Sequence, residues 1–143
     1  MKKILILALG ALAMISCAKQ PCDARHTCWA YDATIYELNT RQATPEGTFA
    51  AAEALLPEIK ESGVDIIWIM PIQKIGVLER KGTLGSYYAI TDYCEFNPEF
   101  GTRADFEHFL AKAHELGLKV ILDWVANHTA PDSEWTKNEG WHY

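Results

Sequence analysis

The sequence predicts an α/β fold built on parallel strands. Three observations carry that prediction. Three short runs, near residues 34–38, 64–70 and 119–124, are dense in apolar, β-branched and aromatic side chains. Two stretches between them repeat apolar residues at helical spacing. The connections are long enough to cross back over a sheet, and a β-α-β-α-β order with such crossovers implies parallel pairing.

Each element has a local reason. Thr34-Ile35-Tyr36-Glu37-Leu38 reads as a short strand. Pro45, Gly47 and Thr48 mark a turn and an N-cap. Phe49, Ala52, Leu56 and Ile59 form the apolar stripe of a first main helix, and Gly63 ends it. Pro57 removes a backbone donor inside that pattern and should kink the helix or restart it near Leu56. Val64 to Met70 is nearly continuous apolar and stops at Pro71, the mark of a strand buried on both faces. Residues 73–101 read as a long connection rich in Gly, Tyr and Pro, and long structured loops are often functional. Thr102 and Asp105 make a capping box. Phe106, Phe109, Ala113 and Leu116 give the second main helix its stripe, and Gly117 stops it. Leu118 to Val125 is a third apolar strand.

The N-terminus reads as an export signal, residues 1–16. Lys2 and Lys3 precede a 12-residue apolar run, Ile4 to Ile15, too short for a bilayer span of about 20 residues. Met14-Ile15-Ser16-Cys17 resembles a bacterial lipobox, with Cys17 lipidated as the mature N-terminus. The expected localisation is that of an exported, membrane-anchored bacterial lipoprotein, periplasmic or at the cell surface. Residues 17–30 then form a tether, and the membrane is touched through the lipid alone. Export permits disulfides. Cys22 and Cys28 could pair and leave Cys94 free, or Cys94 could pair with one of them; spacing does not decide. Formal net charge is -6; without Lys2 and Lys3, 11 basic residues face 19 acidic ones. Such a surface repels phosphate backbones, so nucleic acid is not an expected partner, whereas a neutral sugar polymer is not repelled.

Asp123 sits near the carboxyl end of the third strand, with Asn127 and His128 in the loop after it. Ligands of parallel α/β folds bind at such ends. There a carboxylate can orient a cation or a hydroxyl, an amide oxygen suits a hard metal such as calcium, and an imidazole can donate to a hydroxyl.

Asp123-Trp124-Val125-Ala126-Asn127-His128 resembles the first signature of glycoside hydrolase family 13, the α-amylase family. Gly85 to Tyr93 resembles the Tyr-bearing loop after that family's second strand. Asn97 to Thr102 resembles the approach to its second helix, and Ala113 to Asp123 the end of that helix and the third strand. Ile35 to Asn39 and Gly63 to Pro71 look like strands one and two, so the likeness covers residues 29–135. It implies that residues 31–143 are the N-terminal part of a (β/α)8 TIM barrel, about three of eight strands. It further implies retaining cleavage or transfer of α-1,4-glucosidic bonds, with an α-glucan or maltooligosaccharide as substrate. By the same resemblance Tyr88 stacks on the sugar at the cleaved unit and His128 hydrogen-bonds it. Asp123 holds the site together, and Asn127 matches a calcium ligand of many members. Tyr87 is the packing residue of its pair, Asp92 supports its loop, and Asp132 and Glu134 have no assigned role. Retaining glycosidases need two carboxyl groups about 5 Å apart. In this family those groups follow strands four and five, so the expectation is that no catalytic residue lies in this chain. Two other readings stand beside it: a non-catalytic surface glycan-binding lipoprotein, and a half-barrel that pairs with another chain.

Overall fold

The computed structural model describes residues 27–138. The expected export signal, Cys17, Cys22 and most of the tether lie outside the described residues. The chain divides into two units, 1–32 and 33–143. Of the first, a single 3-10 turn, Cys28–Ala30, is seen. Cys28 is disulfide-bonded, and Cys94 is exposed and free, which removes the alternatives that pair Cys94.

The second unit holds a three-stranded parallel sheet. Its strands are β1 (Ile35–Leu38), β2 (Ile66–Ile69) and β5 (Lys119–Leu122), in the order β1-β2-β5. Ile35 pairs with Ile66 and Leu38 with Ile69; Ile67 pairs with Val120 and Ile69 with Leu122. The predicted strands are therefore present, each shorter by one to three residues. The predicted long connection after β2 is corrected: it contains an antiparallel hairpin, β3 (Gln73–Ile75) with β4 (Ile90–Phe96), whose register shifts on both sides of Lys74.

The helices follow their sequence signals. A short turn of helix, α1 (Thr40–Ala43), follows β1 and was not anticipated. Thr48 caps α2 (Phe49–Glu53) by accepting from the Ala51 amide. The helix breaks at Ala54 and Leu55 and restarts as α3 (Leu56–Glu61), with Pro57 in the first turn, where its missing N–H has no partner to lose. Gly63 follows at φ 91, a conformation that glycine adopts without Cβ strain. The capping box of α4 (Arg103–Glu115) closes in both directions: the Thr102 hydroxyl accepts from the Asp105 amide, and Asp105 accepts from the Thr102 amide.

One apolar core lies between the sheet and the helices. Leu38, Ile67 and Ile69 point into it from the strands, and Phe49, Leu56, Ile59 and Phe109 from the helices. Phe49 sits at its centre, edge-on to Phe96, Phe100 and Phe106 with ring centroids 5.2–6.1 Å away. No helix among the described residues is long and apolar enough to cross a membrane.

Candidate functional site

The site is built where the β4 hairpin meets the carboxyl end of β5. The Asp123 amide extends the parallel ladder by donating to Ile69 O at 2.8 Å, which fixes the backbone from which the carboxylate projects. Tyr88 arrives on the loop between β3 and β4, and its hydroxyl donates to Asp123 Oδ2 at 2.7 Å. That bond, with partial burial and the charges of Asp123 and Glu37, pushes the Tyr88 phenol up to about 12. The neutral phenol is therefore the donor throughout the physiological range, and Asp123 acts as an acceptor that orients the ring.

His128 closes the group. Its Nε2 lies 3.2 Å from the Tyr88 carbonyl oxygen. A carbonyl only accepts, so Nε2 carries the proton in this contact, and Nδ1 of the neutral ring is left as an acceptor. The structure thus brings Tyr88, Asp123 and His128 together through one tyrosine, held by both its side chain and its backbone.

Asn127 is exposed beside them. One amide oxygen is one of the six to eight oxygen ligands that calcium takes. Among the described residues no group of three His, Cys, Asp or Glu side chains gathers to complete a cage. No step is routed through that ion. Asp92, expected to support a loop, lies in strand β4, where it accepts from the Cys94 amide at 2.8 Å. The Tyr87 hydroxyl accepts from Asn39 Nδ2 at 2.9 Å, and its ring packs under Arg41.

Several residues that shape the site escaped the sequence reading. The Tyr93 hydroxyl lies 2.7 Å from both Val125 O and His128 O, pinning the loop that carries His128. Its ring lies flat on Trp135, with centroids 4.6 Å apart, and burial raises its phenol. Thr129 adds a bond from its hydroxyl to Ile90 O at 2.6 Å. Asp132, without a role from the sequence, accepts from the Val77 and Leu78 amides at 2.7 and 3.2 Å and ties the start of the β3–β4 loop to the loop after β5. Its one sequence signal is its place after Pro131, where an acidic side chain often bonds backbone amides in a turn.

Helix-covered parallel strands with a polar cluster at their carboxyl ends have the arrangement in which parallel α/β folds bind ligands. The model of the α-amylase catalytic domain matches residues 32–141, and the chain belongs to that family. It is 37% identical over 116 residues to α-amylase MalA of Haloarcula japonica, covering 79% of this chain and 16% of that protein. With an α-glucosidase of Apis mellifera the identity is 31% over 140 residues, 94% of this chain and 23% of the relative. Among solved structures, an α-amylase from Lactobacillus plantarum superimposes with a TM-score of 0.75 at 51% identity, over 78% of this chain and 27% of its own. The maltogenic α-amylase AmyB from Thermotoga neapolitana gives 0.70 at 43%, over 74% and 26%. The chain therefore spans between a sixth and about a quarter of the length of these relatives. Its three parallel strands are part of a TIM barrel.

Proposed function

We propose that this chain supplies the sugar-positioning wall of a retaining glycoside hydrolase that acts on α-1,4-glucosidic bonds of α-glucans or maltooligosaccharides. The observation that carries the reading is the convergence of Tyr88, Asp123 and His128 at the strands' carboxyl ends. Asp123 holds the Tyr88 ring in one orientation, so that its amphipathic face meets a sugar ring. His128, its Nε2–H engaged by the Tyr88 carbonyl, accepts through Nδ1 from a hydroxyl of the same sugar. Proton transfer and nucleophilic attack require a carboxyl pair about 5 Å apart, and by family resemblance that pair follows later strands. Asn127 is the one residue here to which the resemblance gives a calcium role. The same reading makes the protein an exported lipoprotein, cleaved before Cys17 and held to the membrane by acyl chains on that residue.

The test is reducing-sugar release from soluble starch and maltodextrins by the 143-residue chain and by the complete barrel protein. The short chain should be inactive and the complete protein active. Tyr88→Ala or His128→Ala in the latter should lower kcat/KM about 10²-fold, the scale of losing a positioning contact. Activity of the short chain that disappears in Asp123→Asn would place the chemistry in the wrong residues. Maltoheptaose binding without turnover by the complete protein would favour the glycan-binding reading. An isomaltooligosaccharide panel reads the linkage, since one relative is named oligo-1,6-glucosidase. Mass spectrometry of the mature N-terminus should find di- or triacylated Cys17; an unmodified N-terminus further downstream removes the anchor.

A further inference from the structure

Arg41 lies in the helical turn that follows β1, and its side chain is 13% exposed. Nη1 donates to Gly85 O at 3.0 Å, and Nη2 donates to Leu84 O at 3.2 Å and to Glu99 Oε2 at 3.1 Å. The guanidinium carbon stands 4.8 Å from the centre of the Tyr87 ring and 6.0 Å from that of Phe100. One side chain thus ties the end of β1 to two carbonyls of the turn before Tyr88 and to the segment leading into α4. The turn is tight within itself: Tyr88 N donates to Ser86 Oγ at 3.2 Å, and Ala89 N to Ser86 O at 3.0 Å. Gly85 sits at φ 68, and an added Cβ there would meet the Arg80 side chain at 2.8 Å. A displacement at residues 84–85 therefore passes to residue 88.

We propose that Arg41 is a positioning residue, whose guanidinium locks the Leu84–Tyr88 turn so that the Tyr88 hydroxyl stands on Asp123. Its consequence for turnover rests on the sugar-site reading of Tyr88 given above; its structural content does not. Arginine is required by geometry. A planar fork with five donors bonds two adjacent carbonyls and a carboxylate while standing over an aromatic ring. A lysine ammonium keeps the charge, and with it the attraction to Glu99, but lacks the plane and the span. Withdrawing the fork leaves the two turn carbonyls without their protein partner, and the turn relaxes toward water.

The experiment uses the complete barrel protein, with Arg41→Lys and Arg41→Gln compared to Glu99→Gln, which removes the ion pair and keeps both carbonyl bonds. Tyrosine ring-carbon NMR follows each phenol through alkaline pH, with Tyr88→Phe assigning the signal. In the parent and in Glu99→Gln, Tyr88 should ionise near the raised value of about 12. In both Arg41 variants, with circular dichroism still native, it should fall toward the ordinary phenol value of about 10. The same variants should lose about 10²-fold in kcat/KM on maltodextrin, the scale of a 1 Å misplacement. A folded Arg41→Lys or Arg41→Gln protein whose Tyr88 still ionises near 12 overturns the proposal and leaves Arg41 a fold anchor. A lowered Tyr88 value with unchanged turnover supports the positioning role and removes the sugar role of Tyr88.

Discussion

Gly76→Ala should destabilise the β3–β4 loop through a collision with the loop after β5. Gly76 is buried, and its φ lies outside the left-handed region, so the cost is steric. A methyl group there overlaps Asp132 Oδ1 and stands 2.6 Å from the Ala130 Cβ. Neither neighbour gives way freely. Ala130 is 1% exposed and its amide is committed to Ile90 O at 2.6 Å. The Asp132 carboxylate is held by the Val77 and Leu78 amides. Overpacking of this kind costs about 1–3 kcal/mol. Withdrawing the carboxylate loses hydrogen bonds of the charged class, about 1.5–3 kcal/mol. Relief of one reduces the other, so we expect about 3 kcal/mol in urea unfolding. Hydrogen exchange should quicken at Val77 and Leu78. Asp132→Ala alone should give about half that loss, and the double variant should fall short of the sum, since the two changes break the same bonds. Strict additivity, or a Gly76→Ala loss below about 0.5 kcal/mol, would refute the clamp.

Three further outcomes are expected. Phe49→Ala empties the centre of the aromatic cluster and should cost about 3–5 kcal/mol in the same unfolding assay. Tyr93→Phe loses the bond to the Val125 and His128 carbonyls, and should cost about 1 kcal/mol while accelerating exchange through residues 125–129. Asp132 and Asp105 are both held below the usual carboxylate value, the first chiefly by the Val77 amide and the second by the Thr102 hydroxyl and amide. A carboxyl group depressed in the folded state contributes stability that is full above its unfolded value, near 4, and lost as pH falls through its folded one. The urea midpoint should therefore drop below about pH 4, and Asp105→Asn with Asp132→Asn should flatten that drop.

The strands and helix ends were legible because their causes are local. Thr48, Gly63, Gly117 and the Thr102–Asp105 pair each settle a boundary through bonds or dihedrals within a few residues. The hairpin was not legible because its strands mix polar and apolar residues and its register is irregular. Asp123, His128 and Tyr88 could be named from ordered motifs. That Tyr88 bonds Asp123, 35 residues away, could not be read from spacing. Arg41 and Tyr93 left no signal for a related reason: the bonds by which they hold the site's loops go to backbone carbonyls, which every residue carries, so the sequence does not mark the accepting end.

The parallel sheet shows why its apolar strands outrun their burial. Side chains alternate between faces along each strand. One set, Leu38, Ile67 and Ile69, enters the core beneath the helices. The other set includes Ile35, Trp68 and Ile121, which are 53%, 36% and 43% exposed, and Ile66, which is buried. A parallel strand of this composition belongs to a sheet covered on both faces, and the helices of this chain cover one. Asp123 follows Ile121 by two residues, so it stands on the open face. In a closed barrel that face is the interior, and its rim at the strands' carboxyl ends is where substrate binds. The apolar residues left open here and the polar residues gathered at the rim thus have one cause. Both belong to the wall that a barrel turns inward, and the three parallel strands are part of that wall.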